Sequence, residues 1–186
     1  MTTKSLLIGC LVVAVLRAAG CRPNDDRNPH LAGGASAADR KRVETVEPID
    51  KAGLQKLIKE RNGRILFLNI WATWCAPCVE EFPDLVKLSR AYPEHEVEVV
   101  GISADYPDEV ESKILPFIKK HDVPFRILVA AFERQEDFIN GVNPAWSGAL
   151  PATLVYDQYG NQRLFLVGQG TFEEFKKAID TVRTRL

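Results

Sequence analysis

Two cysteines stand three positions apart in Asn69-Ile70-Trp71-Ala72-Thr73-Trp74-Cys75-Ala76-Pro77-Cys78. Sulfurs at this spacing have two chemistries open to them. They close into a disulfide and exchange it, or they supply half of a metal site. The neighbouring residues bear on the choice. Ile65-Leu66-Phe67-Leu68 is an unbroken apolar run, which predicts a strand buried on both faces. After Cys78, a helical pattern puts Phe82, Leu85 and Val86 on one side. The pair is therefore expected where a buried strand turns into a helix. A helix start carries unpaired N–H groups and a partial positive charge. A thiolate there is favoured over a thiol, so its pKa falls below the roughly 8.5 of a free cysteine. Cys75, at the helix mouth, is expected to be the exposed nucleophile and Cys78, a turn further in, to be shielded. Pro77 suits a first turn, where its missing N–H would be orphaned anyway. The chemistry implied is thiol–disulfide exchange. Cys75 attacks a partner disulfide, a mixed disulfide forms, and Cys78 resolves it.

A zinc site needs further ligands. No second Cys-x-x-Cys follows, and His30, His95 and His121 show no ligand spacing, which weighs against a metal. The histidines read as solvated. The chain has 186 residues, which suits one domain with an appendage. An apolar content of 46% is enough for a core. A net charge of −1 gives no basic face for nucleic acid. Of the four cysteines, Cys10 and Cys21 lie near the N-terminus, which leaves one redox pair and no disulfide scaffold.

Met1-Thr2-Thr3-Lys4 is a short positive start, and Ser5 to Leu16 is mostly apolar. That is the length of a signal-peptide core, short of the roughly 20 residues that span a bilayer. Ala18-Ala19-Gly20-Cys21 resembles a lipoprotein cleavage box, with Cys21 as the lipid-bearing residue. Ala18 departs from the Leu the pattern favours, and Arg17 is an odd neighbour. Ordinary signal cleavage and an uncleaved anchor are the alternatives. Residues 1–20 are thus read as a signal segment. Residues 21–47 are a linker rich in charge, Pro and Gly, reaching roughly 25–30 Å. Residues 48–186 form the folded domain.

Within that domain, Asp50 is a candidate helix cap ahead of Leu54, Leu57 and Ile58, and Asn62-Gly63 ends the helix. Pro83 is expected to kink the redox helix. Val97 to Ile102 reads as a strand. Pro107 opens a helix through Ile118 that Pro116 should bend. Phe125 to Val129 is a strand, and Phe132 to Val142 a short helix plus loop. Thr153 to Tyr156 and Leu164 to Val167 make a hairpin around Asp157-Gln158-Tyr159-Gly160-Asn161. Thr171 with Glu174 caps a last helix carrying Phe172, Phe175, Ile179 and Val182. Such alternation implies an α/β fold, a mixed sheet covered by helices on both faces.

Trp71-Ala72-Thr73-Trp74-Cys75-Ala76-Pro77-Cys78, followed by Glu81-Phe82-Pro83, resembles the TlpA/ResA-like branch of the thioredoxin superfamily. Those proteins are extracytoplasmic, membrane-tethered thiol–disulfide oxidoreductases. Gly148-Ala149-Leu150-Pro151-Ala152-Thr153 is similar to their second active-site loop, whose proline is cis and faces the cysteines. The resemblance covers about residues 48–186 and implies a thioredoxin-like fold, with 125–142 as the branch's inserted element. It implies that the backbone of Leu150 and the ring of Pro151 hold an extended substrate and keep metals off the thiolates. Otherwise Pro151 is an ordinary trans turn proline. Trp74 is a candidate substrate contact and Trp71 a core residue. Trp146 either covers the site or packs locally. Asn69 departs from the buried Asp usual in thioredoxins and cannot take up a proton. Glu81, one helical turn after Cys78, is the candidate replacement. The alternative is a solvated carboxylate beside Glu80.

The resemblance further implies a reductase of protein disulfides, fed by a membrane thiol carrier of the DsbD/CcdA type. The Cys-x-x-Cys-His haem sites of apocytochrome c are among the candidate substrates. No organic cofactor is needed, since two sulfurs carry both electrons. A disulfide-forming oxidase is the rival enzyme, because direction depends on reduction potential. A peroxidase is disfavoured. The peroxiredoxin pattern Pro-x-x-x-Thr-x-x-Cys would put Pro at Leu68 for Cys75, or at Trp71 for Cys78. A module binding metal or a haem precursor through the cysteines is the non-enzymatic alternative.

Overall fold

The strand leading to the cysteines (β2, Ile65–Trp71) is buried along its whole length. The computed structural model, which describes residues 43–184, places β2 inside a six-stranded sheet. The other strands are β1 (Glu47–Ile49), β3 (Val97–Ser103), β4 (Arg126–Ala130), β5 (Ala152–Tyr156) and β6 (Gln162–Val167), in spatial order β1-β4-β3-β2-β5-β6. The first four of that row run parallel, whereas β5 is antiparallel to β2 and β6 to β5. The helices are α1 (Lys51–Lys59), α2 (Ala76–Ala91), α3 (Leu115–Lys120), α4 (Gln135–Val142) and α5 (Phe172–Arg183). Alternate residues of β2 point to opposite faces. Phe67 and Trp71 join Phe82, Ile118 and Phe175 under α2, α3 and α5. Leu66, Leu68 and Ile70 join Leu54, Phe138 and Trp146 under α1 and α4. The sheet is mixed and covered on both faces, as the alternation implies.

The caps read from the sequence are present. Gly53 N–H donates to Asp50 Oδ1 at 2.7 Å. Thr171 and Glu174 form a reciprocal capping box at the start of α5. After α1 the chain turns through Asn62 (φ 50°) and Gly63 (φ 80°), the left-handed region that Gly and Asn tolerate.

Two features differ from the sequence reading. Strand β1 is unforeseen, with Pro48 within it. It pairs with β4 at the sheet edge, where a missing N–H is tolerated. The segment after Pro107 is not one helix. A 3₁₀ turn (Pro107–Glu109) runs into a π turn (Val110–Ile114) and only then into α3. Leu115 N–H reaches Val110 O, five residues back. The next residue, Pro116, has no N–H to continue an α-helical ladder. The redox helix α2 spans Ala76–Ala91 with Pro83 inside it, as read from the sequence.

Candidate active site

Parallel strands deliver their connections at one end of a sheet, and the cysteines lie on the connection from β2 to α2. Cys75 is the N-cap of α2, with extended backbone (φ −88°, ψ 101°). Its sulfur accepts from Cys78 N–H at 3.3 Å, so a helix-start donor, of the kind that favours negative charge, points at this sulfur. The two sulfurs are joined as a disulfide, with the Cα atoms 5.3 Å apart. Cys75 is not the exposed sulfur expected at a helix mouth but packs into the core below α2. It retains 6% exposure and Cys78 none.

The turn before Cys75 is tied to the end of β3 by a carboxylate that sequence reasoning missed. Asp105 is buried. It accepts from Thr73 N–H at 2.9 Å and from Thr73 Oγ1 at 2.6 Å. Ser103 Oγ donates to the same carboxylate at 2.5 Å. Ala104 N–H bonds to Trp71 O at 2.8 Å. The available signal was weak, a lone Ser-x-Asp after an apolar strand.

A second polar group lies within the core. Glu81 is 1% exposed, so it is no surface carboxylate beside Glu80. Asn69 Nδ2 donates to Glu81 Oε1 at 2.8 Å and to Thr153 Oγ1 at 3.1 Å. Gly170 N–H donates to Glu81 Oε2 at 2.9 Å. Burial pushes the Glu81 carboxyl up to about 7, against these two donors, which pull it down, and with a small upward push from Asp84. Burial disfavours the charged form, and hydrogen bonds to that form only partly offset this. Among the described residues, Asn69 Oδ1 has no partner. Gly170 could not have been identified from sequence, since its role rests on a backbone N–H brought in from the β6–α5 loop.

The peptide bond from Leu150 to Pro151 is cis. Register places it. Ile70 pairs with Ala152, so Pro151 stands beside the Trp71 end of β2, where the cysteine loop departs. Gly168 N–H bonds to Pro151 O at 2.8 Å and ties the loop to the end of β6. Trp74 is 66% exposed, whereas Trp71 is fully buried. Trp146 is buried, stands edge-on to Phe138, and donates from Nε1 to Ala149 O at 2.8 Å. It packs locally and also lines a groove shared with Trp74 and Leu150.

The reading of the histidines as solvated needs correction at His121. That ring stacks on Phe117 at 4.3 Å, and burial lowers its pKa. His95 is exposed. Cys10, Cys21 and His30, together with the signal and most of the linker, lie outside the described residues.

A disulfide at a helix start, beside a cis-proline loop in a mixed sheet, defines a thioredoxin-fold dithiol–disulfide protein. Residues 39–163 match the AhpC/TSA family. A thiol-disulfide oxidoreductase ResA of Bacillus cereus is 30% identical over 127 residues, 68% of each chain. ResA of Geobacillus kaustophilus is 26% identical over 134 residues, 72% of each. Among solved structures, a thiol:disulfide interchange protein of Chlorobium tepidum gives a TM-score of 0.56 at 22% identity, over 66% of this chain and 81% of that one. The thioredoxin-related protein of Neisseria meningitidis serogroup B gives 0.55 at 26%, over 64% and 85%. The chain belongs to the AhpC/TSA family, with the ResA-like thiol-disulfide oxidoreductases as its curated relatives. It is an enzyme of that class.

Proposed function

We propose that the chain is an extracytoplasmic reductase of protein disulfides, with Cys75 as nucleophile, Cys78 as resolving thiol and Glu81 as proton carrier. The observation that supports this most is the buried Glu81, one turn along α2 from Cys78 and poised near pH 7. In the reduced enzyme the Cys75 thiolate attacks one sulfur of a substrate disulfide. The substrate's S–S bond breaks, and its other sulfur leaves as a thiolate that takes a proton. Cys78 then loses its proton, attacks Cys75 and releases the second substrate thiol. Two electrons pass to the substrate, and the Cys75–Cys78 disulfide is left behind. Asn69 cannot accept the Cys78 proton, whereas Glu81 can, and it can pass the proton on. Leu150 and Pro151 hold the substrate backbone in strand-like fashion, and Trp74 contacts it.

Extracytoplasmic surfaces are oxidising, so a reductase there must be recharged. A DsbD/CcdA-type membrane carrier is the proposed donor, apocytochrome c a proposed substrate, and a lipid on Cys21 the proposed tether. Among the described residues no helix is long and apolar enough to cross a membrane. A measured reduction potential at or below about −270 mV supports the reductase, and one near −120 mV overturns it in favour of an oxidase. Cys78→Ser should trap the mixed disulfide with the natural partner, which mass spectrometry then names. Glu81→Gln should slow exchange and flatten its pH profile around neutrality. An unchanged profile would remove Glu81 from the mechanism.

A further inference from the structure

Beside the disulfide lies a groove of about 430 Å³, of which the steps above use only Trp74 and Leu150. Trp74, which precedes Cys75, and Leu150, which precedes the cis-proline, form part of its lining. Its remaining apolar lining mixes four aromatic rings with Ala104, Pro107, Ala130, Ala131 and Ile139. Phe132, Phe138 and Trp146 form a chain of rings, with centroids 5.0 Å and 5.8 Å apart at successive steps. Tyr106, 73% exposed, adds a further ring. Two large aromatics, Trp74 and Tyr106, left in solvent around one groove of mixed polar and apolar lining are the mark of a surface that buries them against a partner.

The charges are one-sided. Asp105 and Glu133 lie on the lining, which among the described residues holds no lysine or arginine. The two bordering segments, 104–109 and 130–139, contain six carboxylates; Asp105 is buried against Thr73 and Ser103, and Asp137 and Glu109 each hold a cation, which leaves Asp108, Glu133 and Glu136 as the acidic groups of the rim. Arg134 is already held by both oxygens of Asp137, at 2.9 and 2.8 Å. The nearby Lys113 is held by Glu109 at 2.5 Å.

We propose that this groove selects the polypeptide presented to Cys75. It takes a segment with a large aromatic side chain within a few residues of the target cysteine and a lysine or arginine beside that side chain. The aromatic residue fills the apolar floor, and the cation meets Glu133 and the acidic borders. This rests on exchange at Cys75, not on its direction.

The test uses Cys78→Ser protein carrying Cys75 as a mixed disulfide with thionitrobenzoate. A peptide thiolate attacks the Cys75 sulfur. The bond to thionitrobenzoate breaks, a Cys75–peptide disulfide forms, and the coloured thiolate leaves with the electron pair. Four cysteine peptides combine Phe or Ala with Lys or Glu. Each rate is divided by the same peptide's rate with the free aromatic disulfide, which cancels differences in thiol pKa. The Phe–Lys peptide should outpace Ala–Lys by about tenfold, the effect of burying one large side chain. Lys over Glu should give a further gain of about two- to fivefold that fades at about 1 M salt. Phe132→Ala and the surface variant Tyr106→Ala should each shrink the Phe/Ala ratio, and Glu133→Lys should shrink or invert the Lys/Glu ratio. Corrected rates equal within about twofold across all four peptides would overturn the groove assignment while leaving exchange intact. Displacement by no thiol at all, including glutathione, would overturn exchange at Cys75 itself.

Discussion

At Glu81 the residue-scale question is what a carboxylate gains from being inside a protein. It is buried and receives two donors, and its pKa is raised from 4.5 to about 7. The sign follows from linkage. Between pH 4.5 and 7 the folded protein holds this proton and the unfolded chain does not, so stability falls as pH rises through that window. The full effect is on the order of 3 kcal/mol. Glutamine at this position mimics the protonated acid, and Asn69, with an unpartnered Oδ1, can turn its amide to accept from it. Glu81→Gln should therefore gain on wild type by about 2–3 kcal/mol between pH 4.5 and 8 in urea unfolding of the oxidised form. Parallel stability curves would refute the buried titration. The pairing of Cys75 with Cys78 was legible because residue type and local spacing carry it, and the place of Glu81 one turn along the same helix because the helical period does. Asp105 was not, because Thr73 lies 32 positions away from it and only folding brings the two together.

Elements position these residues through contacts that tolerate little change. The loop between β6 and α5 brings Gly170 N–H to Glu81. A Cβ added at Gly170 would stand 2.2 Å from the ring of Phe175, itself 1% exposed. That ring has no free space to move into, so the loop must shift instead. Gly170→Ala should cost about 1–3 kcal/mol in urea unfolding, as overpacking does. It should also raise the Glu81 pKa further by withdrawing a donor, readable as an alkaline shift in carboxyl titration. Destabilisation with no such shift would separate packing from the proton site. The Asp105 link joins the end of β3 to the turn before Cys75. Asp105→Ala leaves Thr73 N–H without its partner, a loss of about 1–3 kcal/mol, and should slow exchange by loosening the nucleophile's turn. Unaltered exchange kinetics would assign Asp105 to the fold alone. Element types were mostly legible from periodicity and caps. Strand β1 escaped because three residues are too few for a period, and the π turn because Val110 and Leu115 pair at a spacing that no apolar repeat announces.

For the whole molecule, redox state and folding are one thermodynamic cycle. The disulfide joins residues three apart, so its loop is short and constrains the unfolded chain little. The difference in stability between oxidised and reduced protein then reports mainly on how the native structure treats the two states. Two groups in the site pull in opposite directions. The Cys78 N–H at the start of α2 favours a Cys75 thiolate, which stabilises the reduced form and makes an oxidant. A charged Glu81 behind Cys78 disfavours thiolate nearby and shifts the balance toward the disulfide. A reductase requires the second influence to prevail. The oxidised protein should then unfold at a higher urea midpoint than the reduced protein at pH 8, where Glu81 is charged. The gap should narrow toward pH 5, where Glu81 is neutral. Each 30 mV of potential corresponds to about 1.4 kcal/mol for this two-electron couple, so the stability gap can be checked against a potential measured directly with glutathione. A reduced form that is the more stable at pH 8 would place the chain among disulfide donors, and the direction of electron flow argued here would be reversed.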